Sequence, residues 1–217
     1  MRFQDRQHAG RLLAARLAEL RATERWDDPI VLALPRGGVP VAAEVARALD
    51  APLDVLVVRK IGAPGEPEVG IGAIAGDDPP LFDRRALTIL DITPDQLASD
   101  VARERTELHR RERLYRNSRP APDLRGRTVV LVDDGLATGV TAHAALRRVR
   151  AEGPARLILA VPVCDARAGE EFRGDTDEFV CLQPHRYLHA VGVWYEDFRQ
   201  VSDREVIDIL GHQHAVS

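Results

Sequence analysis

The residues best placed to do chemistry follow one apolar run. Thr128-Val129-Val130-Leu131-Val132 leads into Asp133-Asp134-Gly135-Leu136-Ala137-Thr138-Gly139-Val140-Thr141, and good helix formers run from Ala142 to Ala151. This is the pattern of a buried strand, a turn and a helix. In open α/β sheets, ligands sit at the carboxyl ends of strands, where this turn falls. Its two halves have opposite chemistry. Gly135 to Thr141 is small and opens a helix, whose free N–H groups and positive dipole end favour a phosphate dianion, with hydroxyls from Thr138 and Thr141. Asp133 and Asp134 would repel a phosphate but suit ribose hydroxyls or a hydrated Mg²⁺. A ligand with a phosphate at one end and a diol or metal at the other fits, as a sugar 5-phosphate does.

The rest of the chain predicts the frame for such a turn. Asp5 opens an amphipathic helix over 5–25. Ile30 to Leu34 and Leu53 to Val58 read as strands buried on both faces, joined by a helix from Val39 to Leu49 in a right-handed βαβ unit. Residues 61–80, dense in Gly and Pro, predict a long mobile loop. Short strands are expected at Leu81-Phe82 and Ala86 to Leu90 around a turn at 83–85. Thr93 caps a helix with Pro94 at its first position, running to about Arg116. Leu157 to Val161 predicts a strand stopped by Pro162. A helix near 166–172, a strand at 179–182 and a last helix opened by the capping box Ser202-x-x-Glu205 complete the pattern. Strands alternating with helices give one doubly wound, mainly parallel α/β sheet, a core over about 28–163, and an irregular hood from about 164–217, with the N-terminal helix as a possible addition.

Composition narrows the function classes. The 217 residues carry a net charge of −4 with no isolated basic tail, a poor profile for wholesale nucleic-acid or membrane binding. The arginine-rich helix interleaves its cations with Glu104, Glu107 and Glu112, so a solvated face is its ordinary reading. Cys164 and Cys181 form no C-x-x-C pair, and no stretch approaches a membrane span or a signal peptide, which points to the cytoplasm. Lys60 is the single lysine among 30 basic residues. Codon drift explains the arginine excess but not the exception, and a compact ammonium is suited to meeting a phosphate. His185 and His189 stand at i,i+4 spacing without a third ligand, which argues against zinc. There is no P-loop motif, and Gly70-x-Gly72 lacks the rest of a dinucleotide fingerprint.

An apolar strand followed by D-D-G-x-A-T-G-x-T resembles the 5-phosphoribosyl-1-pyrophosphate (PRPP) signature of type I phosphoribosyltransferases. Residues 3–210 look most like a bacterial branch with PRGG and VDDG-x-ATG loops. The resemblance implies that Asp133, Asp134, Gly135, Ala137, Thr138, Gly139, Val140 and Thr141 bind the ribose and 5-phosphate, and that Pro35-Arg36-Gly37-Gly38 cups pyrophosphate. It also implies that Arg59 and Lys60, ending the second core strand, reach pyrophosphate with Lys60 as a catalytic group, and that a flexible loop over 62–76 closes the site. VGVWYEDFRQ is similar to a late segment in which Trp194 or Tyr195 would stack on an acceptor base and Glu196 or Asp197 would help bind a second Mg²⁺. A buried Trp-Tyr core is the competing reading of that segment. Mg²⁺ held through water by Asp133 and Asp134, and a homodimer, are implied in the same way. The implied reaction moves phosphoribosyl from PRPP to a ring nitrogen and releases pyrophosphate. A PRPP-sensing regulator that binds nucleic acid and a hydrolase of phosphoribosyl compounds are the alternatives.

Overall fold

The structure, a computed structural model, describes residues 2–117, 119–136, 139–172, 174–186, 188 and 190–214, with backbone alone at 67, 68, 169 and 214. Five parallel strands form the main sheet in the order β2-β1-β6-β7-β8: β1 (Ile30–Ala33), β2 (Leu53–Val55), β6 (Thr128–Val132), β7 (Arg156–Asp165) and β8 (Glu178–His185). Register is set by pairs such as Val31↔Val130 and Val130↔Ile158. Because side chains alternate across a strand, the apolar runs supply both layers of the core. Val31, Ala33, Val130, Val132, Ile158 and Ala160 face one cluster, and Ile30, Leu32, Val129, Leu131, Leu157 and Leu159 the other. Helices α1 (Arg6–Thr23), α2 (Gly38–Leu49) and α7 (Asp203–His214) pack on the first face, and α5 (Val140–Ala151) covers the second.

Several expectations hold at the level of single bonds. Asp5 caps α1 by accepting from the His8 N–H at 2.7 Å. Thr93 and Gln96 form a capping box on a 3₁₀ turn, Pro94–Leu97, that leads into α4 (Ala98–Arg116). The Ser202–Glu205 box opens α7, with the Glu205 N–H donating to Ser202 Oγ and the Ser202 N–H to Glu205 Oε2. A four-residue helix, α6 (Ala168–Glu171), lies inside the span expected near 166–172.

Five expectations are corrected. The predicted strand from Leu53 to Val58 is two strands in two sheets: β2 ends at Val55, and β3 (Val58–Ala63) starts a separate antiparallel ribbon with β4 (Glu66–Ala75) and β5 (Leu81–Phe82). The segment expected as a loop is therefore mostly strand. Ile61, Ile71 and Ile74 are fully buried, while Ala73 and Ala75 pack on Ala144 of α5, so the small residues permit close packing. Ala86 to Leu90 belongs to a helix, α3 (Arg84–Leu90), because Asp83 accepts from the Arg85 and Ala86 N–H groups at 2.9 and 3.1 Å and starts a helical turn. Strand β7 runs through Pro162 to Asp165. Its pairing with β8 skips that residue, which has no N–H to give. Strand β8 also carries the main sheet past 163, into the segment expected as hood.

Candidate active site at the strand ends

Strands β1 and β6 are neighbours, so their carboxyl ends bring two loops together. After β1 the chain passes Leu34, Pro35, Arg36 and Gly37 into α2; the Pro35–Arg36 peptide is cis. After β6 it passes Asp133 and Asp134. The two loops meet at Gly37, where a Cβ would lie 2.0 Å from Asp134 Oδ2 and 2.6 Å from its Cγ. At Gly38 a Cβ would lie 2.8 Å from the Val132 carbonyl oxygen. Both glycines are present because the second loop leaves no room for a side chain. The Gly38 N–H, expected to face pyrophosphate, donates to the Leu34 carbonyl at 3.1 Å; the Gly37 N–H has no partner among the described residues.

Asp134 is held from three sides. Arg6, the first residue of α1, donates from Nε to Asp134 Oδ2 at 2.8 Å, with the two side chains 11% and 14% exposed. The Tyr195 hydroxyl donates to the Asp134 carbonyl at 2.6 Å, and the Asp134 N–H donates to Asp133 Oδ1 at 2.8 Å. Both carboxylates keep a little surface but lie deep enough for burial to push their pKa values upward. The Asp134 charge raises Asp133 further, whereas Arg6 pulls Asp134 back down.

The half of the turn expected to bind phosphate begins beyond these acids. Gly135 is buried beneath Val163 and Val191, so its role is to let the turn pass. Leu136 then bridges Cys164 of β7. Ala137 and Thr138, like His189, lie outside the described residues. Gly139 has φ +71°, and a Cβ there would meet Phe172 at 2.9 Å, so this start of α5 requires glycine. Val140 and Thr141 follow in a first turn with no acidic residue, whose N–H groups precede the first intrahelical partners. His143 stands between Glu171 (3.0 Å) and Asp175 (2.7 Å). A cavity of about 720 Å³ runs from this first turn along α5, lined by Phe82, Val140, His143, Leu146 and Arg147 among others.

The remaining expected residues are placed differently. Arg36 is partly buried, and its Nη1 is 3.7 Å from Asp203 Oδ1, which also accepts from the Tyr115 hydroxyl. Arg59 and Lys60 do not end a core strand. They lie near the start of the ribbon, where Arg59 donates twice to Glu104 of α4, at 2.9 and 2.6 Å. Lys60 is exposed, its stem beside Gly70, and it borders a 480 Å³ cavity with Arg59, Asp100, Arg103 and Glu104.

Tyr195 is 1% exposed between Phe3 and Phe198, so it is not a free stacking platform; its hydroxyl serves Asp134. Trp194 stacks on His185 at 3.4 Å. Glu196 and Asp197 are exposed, and Asp197 accepts from the Arg199 N–H at 3.1 Å. On α4, Arg103, Arg110 and Arg111 pair with acids of the same helix, as its interleaved charges predict, whereas Arg105 donates to the Gly76 and Asp78 carbonyls and Arg116 to Asp54. Arg6 and Phe198 are the site residues the sequence reading missed. The Arg6–Asp134 contact joins residues 128 positions apart, and no local pattern marks it.

Asp133 and Asp134 supply hard oxygen donors, yet no group of three or more His, Cys, Asp or Glu among the described residues forms a metal cage. That donor set fits a Mg²⁺ that keeps its waters and its ligand's phosphates, the usual habit of this ion. No helix among the described residues is long and apolar enough to cross a membrane.

Two Mycobacterium tuberculosis proteins, from strains CDC 1551 and H37Rv and both provisionally named phosphoribosyl transferases, are 43% identical to this chain over 212 residues. The match covers 98% of this chain and 47% of each relative, so the chain spans about half the length of the curated relatives it matches. Among solved structures, TT1426 from Thermus thermophilus is 45% identical with a TM-score of 0.80, covering 98% of this chain and 99% of that one. An Aquifex aeolicus protein at 13% identity, covering 86% of this chain and 78% of that one, shares the fold with a TM-score of 0.52. Residues 3–195 match the phosphoribosyl transferase domain, and with the strand-end loops described above this makes the chain a member of that family.

Proposed function

We propose that the protein transfers the 5-phosphoribosyl group of PRPP to a ring nitrogen of a nucleobase-like acceptor and releases pyrophosphate. The observation that carries this reading is the contact of Gly37 with Asp134. It joins the two strand-end loops into one site flanked by the amino ends of α2 and α5. The first turn of α5 would take the 5-phosphate through its N–H groups, and Asp133 and Asp134 would accept from the ribose hydroxyls. As the bond at C1 breaks, positive charge grows on the ribose near these acids and negative charge on the departing pyrophosphate. Arg36 and the Gly37 N–H would stabilise that second charge. Mg²⁺, held by the acids through water, would neutralise the leaving group. The ribbon carrying Lys60 would cover the pyrophosphate and exclude water, which otherwise hydrolyses PRPP.

The test is to incubate PRPP and Mg²⁺ with purine bases, pyrimidine bases and other ring amines while following pyrophosphate. Release that depends on one acceptor class supports transfer. Release without an acceptor indicates hydrolysis, and tight PRPP binding without release indicates a sensor.

A further inference from the structure

Residues 2–6 are tied to the segment around Tyr195. The Arg2 guanidinium donates to the Tyr195 carbonyl at 2.8 Å, and the Phe3 N–H to the Trp194 carbonyl at 2.8 Å. The Glu196 and Asp197 N–H groups return to the Phe3 and Gln4 carbonyls at 2.8 and 2.9 Å. The Asp5 cap then fixes the start of α1, so Arg6 leaves the helix from a determined point. Its guanidinium lies 3.8 Å from the centroid of the Phe198 ring, and its Nη1 donates to the Arg199 carbonyl at 2.8 Å. Its Nε–H goes to Asp134 Oδ2.

A bond made only to hold the chain ends to the core could use any buried partner. This one uses a carboxylate past the end of β6, where no ladder neighbour constrains the side chain. Gly37 stands against the same oxygen. A carboxylate has about four lone-pair positions. With Oδ2 engaged by Arg6 and walled by Gly37, Oδ1 is the oxygen left to accept from a ligand. Fixing that rotamer before binding removes an ordering cost from the binding step.

Resting on the phosphoribosyl-transfer reading, we infer that Arg6 is a positioning residue, through which the first helix holds the Asp134 carboxylate in the orientation that meets the ribose hydroxyls. It touches Asp134 and not the substrate. Because the ribose is bound in both the ground and transition states, losing the orientation weakens PRPP binding more than it slows turnover.

The test compares Arg6→Met, similar in length but without charge or donors, with Arg6→Lys, which keeps the charge but not the fork. Ligand-free crystal structures, melting curves, PRPP·Mg²⁺ titrations and steady-state kinetics are measured for both. In Arg6→Met the Asp134 carboxylate leaves its wild-type rotamer and the KM for PRPP rises at least about tenfold, with a smaller change in kcat; Arg6→Lys recovers part of the loss. An unmoved Asp134, or an unchanged KM with only a lower melting temperature, makes Arg6 a clamp between chain segments and overturns the inference. Should Arg6→Met fail to fold, Phe198→Leu removes the ring beneath the guanidinium while keeping the ion. A KM that rises supports the inference, and an unchanged KM overturns it. Wild-type protein that does not bind PRPP refutes the functional reading instead, while the Asp134 rotamer in Arg6→Met still decides whether Arg6 positions it.

Discussion

Replacing Gly37 with alanine tests whether the two strand-end loops form one site. The backbone there is helical (φ −61°, ψ −35°), so alanine is conformationally acceptable. Without a steric conflict the substitution would stabilise by about 0.4–1 kcal/mol through the unfolded state. The added methyl would instead lie 2.0 Å from Asp134 Oδ2, more than about 1 Å inside van der Waals contact, which for C and O begins at about 3.4 Å. Asp134 is anchored by Arg6 and Tyr195, so either those bonds break or the α2 amino end moves. Overpacking of this kind costs about 1–3 kcal/mol. Breaking the Arg6 pair adds less than the roughly 3–5 kcal/mol of a fully dry pair, because both side chains keep some exposure. The steric cost wins, and we expect a net loss of about 1–3 kcal/mol, or a melting temperature lower by about 2–12 °C for a domain of this size. On the proposed function, PRPP·Mg²⁺ affinity should fall at least about tenfold by calorimetric titration, because the displaced carboxylate would no longer meet the ribose. The control is Gly211→Ala in α7, which meets nothing within 4 Å; it should gain up to about 1 kcal/mol and bind as wild type. Wild-type melting and binding in Gly37→Ala would refute the claim that the loops form one site.

Asp133→Asn combined with Asp134→Asn should abolish PRPP·Mg²⁺ binding while inorganic phosphate binds as before or more tightly; a parallel loss of phosphate would show that the acids do not face the hydroxyls. Lys60→Arg should lower pyrophosphate release at least about tenfold with little change in melting, and wild-type turnover would assign the lone lysine to codon drift. Ser202→Ala should cost about 1 kcal/mol in a denaturation series by removing the α7 cap. The Ser202 backbone N–H, then Arg199 and the Ser202 hydroxyl, hold Glu205 at about 2, below its ordinary 4.5. Its stabilisation is therefore complete above about pH 4.5 and is lost as pH falls toward 2, so Glu205→Gln should flatten the melting profile across that window; an unchanged profile would refute the assignment.

The legible parts of the molecule are those in which burial dictates residue type on both faces. Strands β1, β6 and β7 are continuous apolar runs because both layers of the core rest on them, and the turn after β6 is legible because helix amino ends and acids carry their chemistry locally. The ribbon was hidden for a physical reason. Its middle strand β4 rests on α5 through Ala73 and Ala75 and pairs with β5 at Gly72, so residues there are small, and small residues resemble a loop. Lys60 and Arg59 were displaced from the expected strand end because β2 stops at Val55, a break with no turn residue to announce it. Trp194 and Tyr195 were interchangeable in sequence; the Phe3 bridge to Tyr195 buries one ring and leaves the other partly exposed.

On the proposed function, the division of charge at the strand ends explains why a site for a polyanion would contain two adjacent acids. The positive ends of α2 and α5, with Arg36, favour phosphates. Asp133 and Asp134 stand between those ends, where a phosphate would meet repulsion and a diol would meet acceptors. On that reading the arrangement would select for a ligand with phosphates at two separated points and hydroxyls between them, and would disfavour a simple anion at the acids. Burial pushes both carboxyl pKa values upward and the Asp134 charge raises Asp133 further, so a cation beside them relieves that pressure. Arg6 supplies that cation 2.8 Å from Asp134 Oδ2, with a planar fork that a lysine lacks. Through the Arg6–Asp134 bond the first helix reaches the same strand-end loops that the motifs mark.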